Sequence, residues 1–472
     1  MTSKSGVETT SQEYEDNITK WQLNELIASS DITLFQNWIK YLFYPARWES
    51  TNNLVTQRQK DFINGASLFP ALKRTLDGSM GVIFRKPTQI ELAPELDYII
   101  DNADGAGKSL EQVVQDAMAE NILQGHGGLL VDFASNEEQR SKAEDALNNN
   151  FATIQLYKAQ HIINVYTIKV GAKSIVQQIV LQESYQDRVG QFEVEEGLQY
   201  RVLMLDENGL YRQELRRPDN EVELVKEIEP RDAQGNRLDY IPFSFFGAES
   251  NSYHVDASPL YDMTRMNAKH LEYSAMRNES IRQLAPTLFA FPGDGFDPDV
   301  FEEDNPSGLT MGGYNAYFLG MGGDAKMVQA DSNDAAVEEM RHLEELMVQA
   351  GALLIQPQAS NISMETTIVQ RSTDTSVLGM AVRNLEDAIN EQLQWVAAFM
   401  GGGDSEINLN REFFSLPLSA EDRRQWASDV MMGIVSAQEY REAMTKANIL
   451  PESALDEEVD IDMQEDVDNA EQ

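Results

Sequence analysis

Two long stretches of the chain carry apolar residues at the spacing of an amphipathic helix. They cover residues 254–285, where Pro259 suits a first turn, and residues 333–355. Each predicts a helix of roughly 20 to 27 residues, about 30 to 40 Å long. The polar residues of the later helix are expected to face water, and these are Glu338, Glu339, Arg341, Glu344, Glu345 and Gln349. The apolar positions are Leu260, Met263, Met266, Leu271, Met276, Ile281 and Leu284, then Ala336, Met340, Leu343, Met347, Ala350 and Leu354.

The connection between these helices, residues 286–332, is rich in glycine and proline. Its short apolar runs, Thr287–Phe291 and Ala316–Leu319, predict strands. The segment is too long for a hairpin loop and too short for a core of its own. We therefore expect a small β-rich unit that neighbouring copies of the chain stabilise. The pattern leaves one alternative open, which is an antiparallel helical hairpin inside an ordinary core.

The first half of the chain predicts helices followed by a sheet. Residues 1–17 are polar and are expected to be loose, and helical spacing begins at Trp21. A second helix is predicted to run from residue 68 into a turn at Gly78. Residues 151–246 alternate apolar and polar side chains between turn signals, which predicts an antiparallel sheet with one face in water.

The end of the chain predicts further helices. A continuous apolar stripe indicates a helix over residues 376–400, and the three glycines that follow it end the helix. Two shorter helices are predicted over residues 419–450, divided near Gly433 and Ser436. The sequence as a whole therefore predicts an α+β protein.

Composition limits the class of protein. The chain has 472 residues, of which 42% are hydrophobic, and this is enough for a large core in two to four parts. It has no run of about 18 apolar residues and no apolar N-terminal stretch, so neither a membrane span nor an export signal is expected. It also has no cysteine, which excludes disulfides and thiolate metal sites and fits assembly in a reducing cytoplasm.

The net charge of −41 is the strongest global feature of the chain. A protein that grips DNA is normally basic, because neutralising phosphates supplies most of the non-specific affinity. This chain is therefore expected to repel DNA over most of its surface. Such a surface suits a conduit through which DNA slides, and it equally suits any other acidic protein.

Six short phrases follow one another along the chain, and they are Asp77–Pro87, Asp104–Leu110, Gly125–Asp132, Ala159–Asn164, Asp239–Phe243 and Phe245–Ala248. Their order and spacing resemble one branch of the tailed-phage portal proteins, long catalogued only as a conserved domain of unknown function. The resemblance covers about residues 65–445, whereas residues 31–65 lack the tyrosine-leucine-proline phrase and basic helix of that branch. The helix, glycine-rich unit and returning helix also resemble the stem–clip–stem unit of portal proteins.

The resemblance implies a portal-like fold and a dodecameric ring at one capsid vertex. It implies double-stranded DNA, the terminase large subunit, adaptor or tail proteins, and major capsid and scaffolding proteins as partners, with no membrane. Localisation would be the virion, and the host cytoplasm during assembly. The implied parts are an α/β wing at 1–253, long stem helices at 254–285 and 333–355, a small β-rich clip at 286–332, a channel loop at 356–375, a long wing helix and return at 376–415, a C-terminal helical crown at 416–455 and a disordered acidic tail at 456–472.

The resemblance also points to three groups of candidate site residues. The channel loop would touch passing DNA, and Arg371 is the full positive charge in it. Basic residues of the first stem helix have two interpretations, since they would either pair with carboxylates of the next subunit or meet phosphates in the bore. The candidates are Arg371, Gln358, Asn361 and Gln370 in the channel, Arg265, Lys269, Arg277 and Arg282 on the stem, and Phe296, Asp297, Phe301 and Tyr314 for docking on the clip.

A partial phosphate-binding loop gives a competing hypothesis, a nucleotide-dependent enzyme. Gly105–Ser109 resembles the end of a P-loop, but the position of its first glycine is Asn102. The other interpretation is a turn in which Ser109 caps the next helix. Five scattered histidines show no metal-ligand spacing, and no nucleophile has an identifiable base. We therefore expect no catalytic residue, cofactor or metal, and the third possibility is a minor head protein of other symmetry.

Overall fold

The protein is described by a computed structural model that forms two compact units, Met1–Leu409 and Asn410–Gln472. The residues that the structure describes are 6–30, 62, 64–133, 150–217, 223–283, 287–291, 293–295, 297, 299–300, 321–328, 335–355, 377–411, 413, 420–446 and 449–450. Helices and antiparallel strands are mixed along the chain, so the predicted α+β class is confirmed.

The N-terminal segment is ordered earlier than the sequence predicts. Helix α1 spans Gln12–Ser29, and the Ser11 hydroxyl caps it by accepting the N–H of Tyr14. The backbone N–H of Ser11 also donates to Ile163 O at 3.0 Å. The prediction that residues 12–17 are loose is therefore wrong, because this cap and the neighbouring strand hold them.

The next elements lead into the first sheet. Helix α2 (Ala71–Ile83) continues through Gly78, so the turn predicted there is wrong; nothing lies within 4 Å of a Cβ built at Gly78. Glycine lowers helix stability by only about 1 kcal/mol, and the packing of the apolar face of α2 outweighs that. The following elements are β1 (Gln89–Glu91), a 3-10 turn (Pro94–Leu96), α3 (Tyr98–Asp101) and α4 (Leu110–Gln124).

A three-stranded antiparallel sheet forms the centre of the first unit. Its order is β3–β2–β9, with β2 at His126–Asp132, β3 at Thr153–Lys158 and β9 at Phe243–Gly247. A Cβ at Gly127 or Gly128 would overlap the ring of Phe246 or Phe243. These two glycines of β2 therefore let the strand approach the two rings closely.

A second, five-stranded sheet follows the order of the chain. The sequence predicts one sheet over residues 151–246, but the 3-10 turn Ala159–His161 redirects the chain after β3, so the strands divide between two sheets. The strands of the second sheet are β4 (Ile162–Val170), β5 (Lys173–Arg188), β6 (Val194–Leu205), β7 (Tyr211–Arg217) and β8 (Glu223–Ile228).

Helix α7 (Val377–Met400) packs on the three-stranded sheet and on α4. Its stripe from Leu378 to Val396 is buried, which confirms the predicted helix, and Gly401 follows it with φ 70°. Buried amides fix the contact. Gln392 donates to Leu129 O at 3.1 Å, and Asn121 of α4 donates to Ala381 O at 3.1 Å. Strand β12 (Glu406–Asn408) then pairs with β1.

Between β9 and α7 lie two helices and two strands. Helix α5 spans Tyr261–Gln283 and helix α6 spans Ala335–Ile355, so both long helices predicted from the spacing are present. Strands β10 (Thr287–Phe291) and β11 (Asp324–Val328) pair antiparallel. The strand predicted at Ala316–Leu319 lies outside the described residues.

The second unit contains helices α8 (Ala420–Met431) and α9 (Ala437–Lys446). Gly433 has φ 72°, in the left-handed region that favours glycine. Ser436 and Glu439 cap α9 reciprocally, with Ser436 N–H donating to Glu439 Oε2 at 2.8 Å and Glu439 N–H donating to Ser436 Oγ at 3.1 Å. The predicted division near these residues is confirmed.

Candidate functional site

The inner face of α5 is largely polar. The buried residues recur three and four apart, but Thr264, Asn267, His270 and Ser274 stand among them, while Met276 and Ile281 are exposed. The apolar stripe predicted for this helix is therefore wrong in its second half. The side chains on the buried face of α5 are those that can hydrogen-bond the segment before α2. These hydrogen bonds compensate for burying polar groups.

Two of these side chains attach α5 to the segment before α2. Asn267 accepts the N–H of Leu72 at 3.1 Å and donates to Phe69 O at 2.8 Å. The Ser274 hydroxyl accepts the N–H of Ser67 at 2.8 Å. Asn267 and Ser274 are two helical turns apart, so both side chains lie on one side of α5. They hold the extended segment before α2 along the helix.

His270 connects α5 to α6. Its Nε2 lies 3.1 Å from Glu344 Oε1, and its ring lies 5.5 Å from the ring of Phe69. The side chain of Glu344, which the sequence predicts to face water, is 40% exposed and also contacts this buried histidine. Near the end of α6, Gly351 is buried, and a Cβ there would lie 3.0 Å from the Thr75 hydroxyl of α2. The glycine therefore lets α6 approach α2 closely.

The exposed charges of α5 are mainly basic and those of α6 are mainly acidic, with Asp262 of α5 and Arg341 of α6 as exceptions. Arg265, Lys269 and Arg277 of α5 are exposed, and so are Glu338 and Glu345 of α6. Lys269 pairs with Glu272 of its own helix at 2.9 Å, whereas Arg265 and Arg277 have no ion-pair partner among the described residues. Arg282 is the last residue but one of the helix, and its side chain lies outside the described residues. The stem candidates therefore share one helix but do not form one cluster.

The β10–β11 pair extends from the ends of α5 and α6. Asp294 and Met321 continue it with two backbone hydrogen bonds of 2.9 and 2.8 Å. Asp297 is exposed, and its Oδ1 accepts the N–H of Asp299 at 3.0 Å. No other described helix or strand packs extensively against β10 and β11. The further clip candidates Phe296, Phe301 and Tyr314 lie outside the described residues.

The channel candidates also lie outside the described residues. These are Gln358, Asn361, Gln370 and Arg371. The segment that contains them, residues 356–375, connects the end of α6 to the start of α7.

The loop that resembles a P-loop uses its own N–H groups internally. Asp104 Oδ1 accepts the N–H of Ala106 at 2.8 Å and of Lys108 at 3.0 Å, and Asn102 accepts the N–H of Gly107 at 2.8 Å. Ser109 and Gln112 form a capping box on α4, as predicted. Lys108 turns to Asp116 at 2.6 Å, and that hydrogen bond raises the pKa of Lys108. A carboxylate thus stands where a P-loop would hold phosphate.

A buried ion network joins the two sheets, and the sequence gives no sign of it. Arg201 of β6 donates to Glu183 at 2.6 Å, to Asp132 of β2 at 3.1 Å and to Gln213 at 2.8 Å. Burial alone would raise the pKa of Glu183, but Arg201 and the hydroxyl of Tyr157 hold it below its ordinary value. The residues of this ion network are widely separated in the sequence, so local spacing could not have revealed the network.

The buried carboxylate of Glu120 lies beside the 3-10 turn Ala159–His161. Glu120 of α4 accepts the N–H of Ala159 at 3.0 Å. Burial raises the pKa of Glu120 to about 7, although nearby Lys158 opposes the shift. Lys158 itself pairs with Glu25 of α1 at 2.9 Å.

Within the described part of the chain, no three His, Asp or Glu side chains are placed to share a metal ion. Among the described helices, none combines the length and apolar character that crossing a bilayer requires.

Comparison with protein families gives one match. Residues 259–400 match a family described as a domain of unknown function, DUF4055. The matched range runs from the start of α5 to the end of α7 and includes β10 and β11. No curated protein matches the chain.

Solved structures with similar chains come from gene transfer agent (GTA) particles. A chain of the native particle's virion is 13% identical over 84% of this chain and 94% of its own length, with a TM-score of 0.41. A chain of the empty particle's neck, computed with C6 symmetry, is 14% identical over 86% and 96%, with a TM-score of 0.40. A chain of the native neck, computed with C12 symmetry, is 14% identical over 81% and 92%, with a TM-score of 0.39. These similarities are too low to assign a fold or a function.

Proposed function

We propose that this chain is the portal protein of a tailed bacteriophage, which forms a ring-shaped channel at one capsid vertex. The observation that carries the proposal is the β10–β11 pair. Two helices of 23 and 21 residues lead to it and away from it, and it packs extensively on no other described element. An isolated two-stranded hairpin is marginal in water. Neighbouring copies in a ring would supply the missing contacts.

Apolar side chains on and near these helices support the same conclusion. Ile281 near the end of α5 is exposed, as are Val348 of α6 at 67% and Met321 beside β11 at 80%. Single exposed apolar residues are common on monomers. Here they accompany a part of the chain that has little packing of its own. Copies standing side by side would cover them.

The charges of the outer faces suit contact between identical subunits in a ring. Such a contact is head-to-tail, so a different face of the chain meets each neighbour. The basic face of α5 in one copy would meet the acidic face of α6 in the next, with Arg265 and Arg277 opposite Glu338 and Glu345. The alternative is that the arginines line the bore and meet phosphates transiently.

In this function the chain acts as a passive conduit and docking hub, not as an enzyme. A packaging motor that hydrolyses ATP would bind at the clip, residues 286–332, and adaptor or tail proteins would bind there afterwards. The net charge of −41 would keep friction with DNA low. Arg371 in the channel loop would touch DNA weakly and restrain back-slippage.

A charge exchange tests the subunit contact. The double variant Arg265→Glu with Arg277→Glu should shift the purified protein from a ring to single chains in light scattering. Adding Glu338→Arg and Glu345→Arg to the same chain should restore the ring, because the complementary faces are exchanged. Lys73→Glu, at an exposed position of α2, is the matched control and should leave the assembly unchanged. If the double variant still forms a ring, the proposed contact between α5 and α6 of neighbouring subunits is wrong. If the wild-type protein forms a closed assembly with a symmetry other than that of a portal ring, a minor head protein is indicated instead.

A further inference from the structure

The outer edge of strand β3 has backbone groups that no described residue hydrogen-bonds. Ile154 donates its N–H away from β2, to Ala103 O at 2.8 Å. In an antiparallel pair the backbone direction alternates, so Leu156 turns its N–H and C=O to the same outer edge. No described residue hydrogen-bonds either group of Leu156. A free edge of this kind can accept a further strand.

Two clefts meet at this edge. One has a volume of about 670 Å³ and is walled by α1, β5 and β6, and the other has a volume of about 570 Å³ and is walled by α2, α4 and the loop before α4. Both are lined by Gln155, Leu156 and His161. Successive side chains of an added strand point to opposite sides. One set would enter each cleft, where Ile18 and Val113 offer apolar contacts.

The charge of the clefts selects the kind of strand that fits. Three cations face them, and each is already paired: Arg201 with Glu183 and Asp132, Lys108 with Asp116, and Lys158 with Glu25. Asp104 lines the second cleft as well. Carboxylates therefore outnumber cations, and the net charge of −41 disfavours a second copy as the occupant.

We propose that the free edge of β3 binds an extended basic segment of another protein as an additional strand. In this mode the main-chain hydrogen bonds supply affinity and alternate side chains supply specificity. The inference goes beyond the channel function, because a ring needs no ligand at this edge. The site lies in a different part of the first unit from the α5–α6 pair.

A synthetic peptide of alternating lysine and valine, eight residues long, is the probe. Its fluorescence anisotropy should rise saturably when the purified protein is added, and an otherwise identical glutamate-valine peptide should not bind. Leu156→Pro removes the outward N–H and leaves the bonds of Gln155 and Tyr157 to β2 in place. It should weaken binding about tenfold or more. Leu156→Ala, which keeps the N–H, is the matched control and should weaken binding less.

A second measurement is independent of the fold of the proline variant. In the wild-type protein, hydrogen exchange of the segment that contains Leu156 should slow when the lysine-valine peptide binds. The proposal is overturned if the wild-type protein does not bind the peptide, if the segment exchanges at the same rate with peptide bound, or if a folded Leu156→Pro variant binds as well as the wild type. Equal binding of the glutamate-valine peptide would overturn the basic character of the partner.

Discussion

The side chain of Asn267 on α5 caps helix α2 through the N–H of Leu72, at 3.1 Å. Helix α2 follows Pro70, which offers no capping side chain, so the cap comes from a distant part of the chain. The same amide donates to Phe69 O at 2.8 Å. The long helix is thus joined to the body of the first unit by directed hydrogen bonds, which fix its position more narrowly than apolar contact alone.

Replacing Asn267 by alanine should lower the free energy of unfolding by about 2–4 kcal/mol. The change leaves the buried Leu72 N–H without a partner and removes the cap of α2. The Phe69 carbonyl loses one of its two donors and keeps the N–H of Ala71 at 2.9 Å. Urea unfolding of the purified protein measures the effect. Ser280→Ala is the control, since the Ser280 hydroxyl bonds the Met276 carbonyl of its own helix, and it should change stability by less than about 0.5 kcal/mol. Equal effects of the two variants would contradict a capping role for Asn267.

Arg201→Met should destabilise the protein by about 3–5 kcal/mol at neutral pH, because Glu183 and Asp132 would stay buried without their cation. The pKa of Glu183 is depressed in the folded protein. The ionised side chain therefore stabilises the folded protein at pH values above the ordinary pKa of glutamate, and this stabilisation is lost as the pH falls through the depressed pKa. The deficit of the variant should therefore shrink in acid, because Glu183 of the variant, buried without its cation, takes up a proton at a higher pH than Glu183 of the wild type. Denaturant titrations at pH 7 and pH 4 test this. Lys73→Met, in an exposed pair, should have almost no effect at either pH.

Glu120→Gln should flatten the pH dependence of stability. The pKa of Glu120 is about 7 in the folded protein, whereas its ordinary value is 4.5. Between pH 4.5 and pH 7, unfolding therefore releases a proton from Glu120. As a result, the wild-type protein loses stability as the pH rises through this range. The loss is on the order of 3 kcal/mol. Glutamine keeps the acceptor for the Ala159 N–H and has no charge to bury. Thermal unfolding from pH 5 to pH 8 measures the slope, and Glu111→Gln, exposed on the same helix, should keep the wild-type slope.

The loop from Asn102 to Ser109 should not bind nucleotide. Its N–H groups already donate to Asp104 and Asn102, and the carboxylate would repel phosphate. Isothermal titration with ATP and Mg²⁺ should give no heat of binding, and Lys108→Ala should behave like the wild type. Measurable binding that Lys108→Ala abolishes would favour the nucleotide-dependent enzyme instead.

The sequence predicts the elements of this fold better than it predicts their faces. The helix over Val377–Met400 is evident because its buried residues are apolar and evenly spaced. In α5 the same reasoning selects Met276, which is exposed, since the buried face is formed by Asn267 and Ser274. Periodicity marks apolar residues as buried and cannot identify a polar side chain that finds its hydrogen-bond partner in a distant segment.

Some features of the candidate sites could be predicted from local spacing, and others could not. The capping role of Ser109 could be predicted because both partners of the capping box lie within three residues of each other. The ion network of Arg201 and the unpaired edge at Leu156 could not, because each depends on which strands become neighbours. That information lies in the tertiary fold and not in local spacing.

The direct test of the central claim is the projection of the purified protein down its particle axis in negative-stain electron micrographs. The account predicts a closed ring, of twelve subunits as the portal resemblance implies, around an open centre. A compact monomer at high protein concentration, with residues 286–332 packed within its own globule, would contradict it.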